Sequence, residues 1–126
     1  MRLDWNEYFL AMAKLVSTRS TCPRASVGVV LVKRKRMIAT GYNGSLPGLS
    51  HCEDVGVGCL MEDGHCQRAI HAEINAIAQC ARFGLSVEGA ILYLYDSANR
   101  ATPCRECMKV IKSSGVKVYS EREANV

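Results

Sequence analysis

The sequence predicts a single layered α/β domain, on three observations. The chain is 126 residues long and 48% hydrophobic, enough for one ordinary core and no more. Two β-rich runs flank a short basic segment, as in a hairpin. In the second half helix and strand patterns alternate, which implies parallel strands joined by crossover helices.

Each element follows from its local pattern. Trp5, Phe9, Met12, Ala13 and Val16 recur at helical spacing behind Asp4, a natural N-cap, so a helix to about Thr18 is expected to pack on a sheet. Residues 27–32 and 37–42 read as strands, with Lys33, Arg34, Lys35 and Arg36 as a solvated turn whose cations are also able to meet phosphate. Residues 43–64 are rich in Gly, Pro, Ser and Asp and hold no period, and a small domain keeps so long an irregular stretch for function or pins it down. A helix is expected over 67–83, with Ile70, Ile74, Ala78 and Ala81 on one face and Gly84 closing it. A buried strand over 90–95, a polar loop over 96–102, a helix over 104–114 ended by Gly115 and a last strand over 116–119 complete the order.

Charge and cysteine usage narrow the function classes. A net charge of +4 suits a phosphate-bearing ligand but falls short of the basic stripe of a dedicated nucleic-acid binder, so no nucleic-acid partner is expected. Asp4, Glu7 and Lys14 interrupt the N-terminal apolar residues, which therefore do not read as a signal peptide, and no run is long enough to span a bilayer. The expected setting is the cytoplasm, with no membrane partner. Seven cysteines there are thiols or metal ligands rather than disulfides, and the odd count argues the same way.

Two short motifs carry chemistry. In Pro103-Cys104-Arg105-Glu106-Cys107, a Cys-x-x-Cys across one helical turn puts two sulfurs on one side at a helix N-terminus, where the dipole favours thiolates. His71 would add a third ligand and leave a fourth tetrahedral position for water, the arrangement of catalytic rather than structural zinc. Zinc lowers the pKa of such a water to roughly 7. Glu73, two residues from His71, is then placed to take the water's proton and pass it to a ring nitrogen and a departing amine. Alone, the Cys pair also fits a redox site or half of a structural zinc site, and a lone His-Ala-Glu arises by chance. Together they match the signature of zinc-dependent deaminases of cytosine and adenine.

Further motifs extend the match: Arg19-Ser20-Thr21-Cys22, Val27-Gly28, Thr40-Gly41-Tyr42-Asn43-Gly44-Ser45, His51-Cys52, Gly58-Cys59-Leu60, Asp63-Gly64-His65-Cys66 and His71-Ala72-Glu73-Ile74-Asn75-Ala76-Ile77. With these, the chain from about Trp5 to Tyr119 resembles the deoxycytidylate (dCMP) deaminases of the cytidine deaminase superfamily, the bacterial competence-operon members most of all. The resemblance implies a three-layer α/β/α fold around a mixed central sheet of four to five strands. It implies hydrolysis of dCMP to dUMP and ammonia, with Asn43 bonding the sugar and the backbone of Ala72 reading the base. Arg24 and Ser26 match the segment lining the phosphate end. From the residues alone, Gly41-Tyr42-Asn43-Gly44 is equally a turn that needs positive φ at Asn or Gly.

The resemblance also implies a second, structural zinc that pins the long loop, with Cys22, Cys52, Cys59 and Cys66 as ligands and His65 as an alternate. Cys80, on the apolar helix face, reads as a small buried hydrophobe. Family members imply a homo-oligomer, a hexamer or smaller, with a dCTP activator and a dTTP inhibitor acting with Mg2+ at a separate site. Arg82 matches a position near their subunit contacts and equally fits an exposed cation at a helix C-terminus. The chain departs from the pattern in its longer 96–102 loop, where Arg100 is a further phosphate candidate or an exposed loop cation. It also ends soon after Tyr119, where many relatives continue. Other readings are a deaminase of dCTP, guanine or a tRNA adenosine, and a non-catalytic zinc-stapled interaction domain.

Overall fold

The structure, a computed structural model, describes residues 1–22, 25–45, 61–62, 65–66, 69–98 and 103–120, the backbone alone at 45, 61, 62, 65, 66 and 69. Three helices, α1 (Trp5–Ser17), α2 (Ala72–Arg82) and α3 (Arg105–Ser113), surround a four-stranded sheet. Its strands are β1 (Val27–Lys33), β2 (Arg36–Tyr42), β7 (Ile91–Asp96) and β8 (Lys117–Ser120), in the order β2-β1-β7-β8. Four two-residue strands, β3 (Gly44–Ser45), β4 (Met61–Glu62), β5 (His65–Cys66) and β6 (Ala69–Ile70), lie between β2 and α2. β3 pairs with β6 and β4 with β5.

The sheet is mixed, as expected. β1 runs antiparallel to both β2 and β7, and β7 runs parallel to β8 with α3 as the crossover. Strand alternation then sorts the core into two layers. Val27, Val29, Leu31, Leu92 and Leu94 face α2 and α3, whereas Val30, Val32 and Tyr93 face Phe9 and Ala13 of α1. β1 is therefore buried on both faces, which explains its nearly unbroken apolar run in an antiparallel setting. Burying a Val or Leu side chain fully contributes about 1.5–3 kcal/mol, so this strand anchors both layers.

α1 begins as its sequence predicts. The Asp4 carboxylate accepts a hydrogen bond from the Glu7 N–H at 2.8 Å, which caps the helix, and this bond lowers the Asp4 pKa. Gly28 lets α1 sit against β1, because a Cβ there would lie 2.1 Å from the Ala13 carbonyl oxygen. Trp5 is the exception among the expected core positions: half exposed, it stacks on Phe9 at 5.8 Å under the Lys35 ammonium at 5.6 Å.

α2 corrects the expected 67–83 helix at its start and in its buried face. Ala69 and Ile70 are extended and pair with Gly44 and Ser45, and the helix starts after His71. Ala72, Ala76 and Cys80 are buried, while Ala78 and Ala81 are exposed. The reason is the approach of α2 to β2. A Cβ on Gly41 would lie 2.3 Å from the Ala72 carbonyl oxygen and 2.8 Å from the Ala76 nitrogen, so only small residues fit that seam. Cys80 is the small buried hydrophobe expected, and Gly84, at φ 71°, follows the helix end. No helix among the described residues is long and apolar enough to cross a membrane.

The hairpin turn carries Arg34 at φ 55° and Lys35 at φ 63°. Left-handed backbone at a non-glycine residue costs roughly 1–2 kcal/mol, and Asn-Gly is the pair that relieves it in a two-residue hairpin. The double substitution R34N/K35G is expected to stabilise the fold by about 1–2 kcal/mol after loss of the exposed Lys35 contact to Trp5, raising Tm by roughly 3–12 °C. Urea and thermal unfolding measure this; an unchanged midpoint would show that the turn stores no strain.

Candidate active site

Two helix N-termini converge on one point. His71 is the N-cap of α2 and Cys104 the N-cap of α3, both extended, and neither side chain is used for capping. Cys107 lies in the first turn of α3 and is 1% exposed, behind the buried Pro103.

The three side chains meet. The Nδ1 atom of His71 lies 3.2 Å from the Sγ of Cys107 and 3.4 Å from the Sγ of Cys104, and all three donor atoms fall within 4.8 Å of one another. Tetrahedral zinc with Zn–N near 2.0 Å and Zn–S near 2.3 Å places such N and S ligands about 3.5 Å apart. The trio therefore fits zinc without rearrangement, with Nδ1 as the imidazole ligand and room for a fourth. A cavity of about 320 Å³ lined by Ile70, His71, Ile74, Glu106, Cys107 and Val110 adjoins it.

Glu73, the second residue of α2, is only 5% exposed yet stands outside the ligand trio. Burial holds the Cys107 thiol well above the usual thiol range, and the neighbouring Glu73 and Cys104 push it further up. A buried carboxylate beside a metal-binding sulfur is the arrangement that suits a proton carrier.

The other sequence candidates divide. The Oδ1 of Asn43 accepts from the Val27 N–H at 3.0 Å and its Nδ2 donates to the Ala25 carbonyl at 2.8 Å. Neither Asn43 nor Gly44 has positive φ, so the left-handed turn considered for Gly41-Tyr42-Asn43-Gly44 is not what these residues serve. Gly44 instead makes room for Thr21, whose buried hydroxyl has no hydrogen-bond partner among the described residues and would lie 2.8 Å from a Cβ at that position. Ser26 joins the start of the 96–98 turn, donating its N–H to the Ser97 Oγ at 2.8 Å and accepting from the Ser97 N–H at 2.9 Å. Ala72 is wholly buried in the first turn of α2, Cys22 is half-buried, and Arg82 is exposed in the last turn of α2. Arg24, Cys52, Cys59 and Arg100 lie outside the described residues, as do the side chains of His65 and Cys66.

Asn75 lies within the His71-to-Ile77 motif, which assigns it no role of its own. Its Nδ2 donates to the Tyr42 carbonyl at 3.1 Å, tying α2 to the end of β2. Its place in that motif, one helical turn beyond His71, is the sequence signal.

A family model described as the cytidine and deoxycytidylate deaminase zinc-binding region matches residues 3–120. The chain belongs to the cytidine and deoxycytidylate deaminase family. It is 52% identical over 122 residues to ComE operon protein 2 of Bacillus subtilis, covering 95% of this chain and 61% of that one. Against a deoxycytidylate deaminase of Mycobacterium phage D29 it is 37% identical over 124 residues, with 91% of each chain covered. The solved dCMP deaminase of cyanophage S-TIM5, in complex with dCMP and dUMP, matches with a TM-score of 0.76 at 32% identity, covering 95% of this chain and 82% of that one. This deaminase-family chain thus spans under two thirds of its Bacillus relative and most of the phage proteins.

Zinc binding to the trio is expected to release protons, because burial keeps Cys107 a thiol until the metal arrives. Ligands must be deprotonated, so apparent affinity rises with pH and falls as the solution is acidified. Calorimetric titration in buffers of different ionisation enthalpy measures the released protons, and Cys107→Ser should lower zinc affinity at least tenfold, on the order of what losing a ligand contact costs. Zinc uptake without proton release, or unaffected by that substitution, would count against the centre.

Proposed function

We propose that this chain is a zinc-dependent hydrolase that converts dCMP to dUMP and ammonia. The observation that carries this reading is the ligand trio of His71, Cys104 and Cys107 with the buried Glu73 beside it. The phage D29 relative, named a deoxycytidylate deaminase over nearly its whole length, supports dCMP as substrate, as does the S-TIM5 enzyme with dCMP and dUMP bound.

When bound, zinc supplies the Lewis acidity that makes water a nucleophile at neutral pH. Glu73 takes the proton from the attacking water, gives it to the ring nitrogen beside the amine-bearing carbon, and carries the second proton to the leaving amine. The new C–O bond replaces the C–N bond, and ammonia departs. The Ala72 backbone meets the base at the N-terminus of α2. Asn43, whose amide keeps one N–H and one lone pair beyond its bonds to Ala25 and Val27, meets the sugar. Arg24 and Ser26 are assigned to the phosphate by the match of their segment to the family.

The reading extends to the rest of the chain. One domain spans residues 1–126, in the cytoplasm, and works as a homo-oligomer under dCTP and dTTP with Mg2+. A second zinc is held by Cys22, Cys52, Cys59 and Cys66, with His65 as the alternate ligand, and serves the long irregular stretch that the sequence places over 43–64. The half-buried thiol of Cys22 and the β4–β5 pairing that carries Cys66 agree with a compact centre there. Elemental analysis of freshly purified protein should find two zinc ions per chain, and one alone would reject the second centre.

The decisive assay follows ammonia release with dCMP, dCTP, deoxycytidine, cytidine, guanine and a tRNA anticodon stem. Turnover is expected on dCMP above the others, and Glu73→Gln should keep its zinc while losing at least about a thousandfold in kcat. Turnover confined to guanine or tRNA rejects the substrate. An active Glu73→Gln protein rejects the proton carrier, and silence on every substrate favours a zinc-stapled binding module.

A further inference from the structure

We propose that Asn75 is a positioning residue of the deamination site, holding Asn43 at a fixed distance from Glu73. The proposal rests on the reading of Asn43 as the sugar contact. Asn75 sits in α2 one turn past His71, whose carbonyl accepts its backbone N–H at 3.0 Å. Its side chain leaves the helix and donates to the carbonyl of Tyr42 at 3.1 Å, in a half-buried setting. Asparagine is a poor helix former because its amide competes for backbone groups, so its use so early in α2 calls for a tertiary partner, and Tyr42 is that partner.

What the bond reaches is the next residue. Asn43 follows Tyr42 directly and is fixed on its far side by its own bonds to Ala25 and Val27 and by the Thr21 N–H, which donates to the Asn43 carbonyl at 3.3 Å. Several contacts set the spacing between α2, which carries Glu73, and the turn that carries Asn43. The pairing of Gly44 with Ile70 ties that turn to the residues just before α2, and the Thr40 N–H donates to the Gln79 Oε1 at 3.3 Å further along the helix. The packing of Gly41 on Ala72 and Ala76 limits how closely the two approach and how far they slide. The Asn75 bond acts between these, at the residue next to Asn43, and stops Tyr42 from lifting off the helix. Sugar and reacting carbon belong to one rigid nucleotide, so a shift of about 1 Å between the groups that hold them weakens the hold on the nucleotide and is felt in kcat/KM through KM.

The test is a double-mutant cycle between Asn75→Ala and Asn43→Ala, read as dCMP kinetics with zinc content and unfolding midpoint alongside. Asn75→Ala alone should raise KM about tenfold, leave kcat within about threefold and keep the zinc content. In the Asn43→Ala background it should add less than twofold, because the group it positions is gone. Asn75→Asp, equal in size but unable to donate, should reproduce the effect and serves if the alanine variant folds poorly. Multiplicative effects, or a fall in kcat and zinc content at unchanged KM, overturn the proposal. Amide hydrogen exchange gives a readout that needs no turnover: Val27 and Asn43 N–H groups should exchange about tenfold faster in Asn75→Ala, and unchanged exchange there also overturns it. Wild-type protein inactive on dCMP but with the predicted exchange pattern rejects the substrate and keeps the link from Asn75 to Asn43.

Discussion

Everything near the site depends on bringing three donor atoms from two separate helix N-termini within the radius of one small ion. His71 and Cys104 achieve this as N-caps that do not cap, and Cys107 follows from helical periodicity once Cys104 is placed. The sheet makes the convergence possible. β7 and β8 run parallel with α3 crossing between them, so α3 starts at the same end of the sheet as α2. The Asn43 turn lies at that end too, because β2 runs alongside in the same sense as β7, separated from it by β1.

Close packing then converts topology into a defined distance. α2 rests on β2 through Ala72 and Ala76 against Gly41, a seam with no side chain thicker than a methyl group. α1 rests on β1 through Gly28 in the same manner on the opposite face. Such contacts leave little room for the layers to slide, since protein interiors are packed at crystal-like density. The tip of the hairpin, at the far end of the sheet, tolerates two left-handed cationic residues that nothing in the site needs.

These relations explain what could be read from the residues. The trio and Glu73 were legible because helical spacing and metal chemistry are both local: one turn separates the two sulfurs, and two residues separate His71 from Glu73. The order of the main helices and sheet strands and the burial of Cys80 followed from periodicity, and the mixed sheet from the family resemblance. The start of α2 was not legible, since Ala69 and Ile70 continue an apparent helical stripe and are drawn into a strand only by pairing with Gly44 and Ser45. Nor was the seam: the stripe of Ile70, Ile74, Ala78 and Ala81 is more hydrophobic than Ala72, Ala76 and Cys80, and only the presence of Gly41 across the gap favours the smaller set. Asn75 stands in the His71 motif, but the bond by which it joins α2 to β2 was not legible, because its partner is a carbonyl 33 residues away.

Charge gives the site its remaining logic. Two thiolates and a carboxylate gathered at one point would repel one another, and on the Cys107 thiol that repulsion from Glu73 and Cys104 adds to the larger upward push of burial. Protonating the sulfurs is one way to resolve it. A dication is the other, and the N-termini of α2 and α3, each equivalent to roughly half a positive charge, supply most of the remainder. With a dication bound there, the geometry that gathers the sulfurs would also lower the cost of ionising them, because both ligand-bearing helices present their positive ends to the same point.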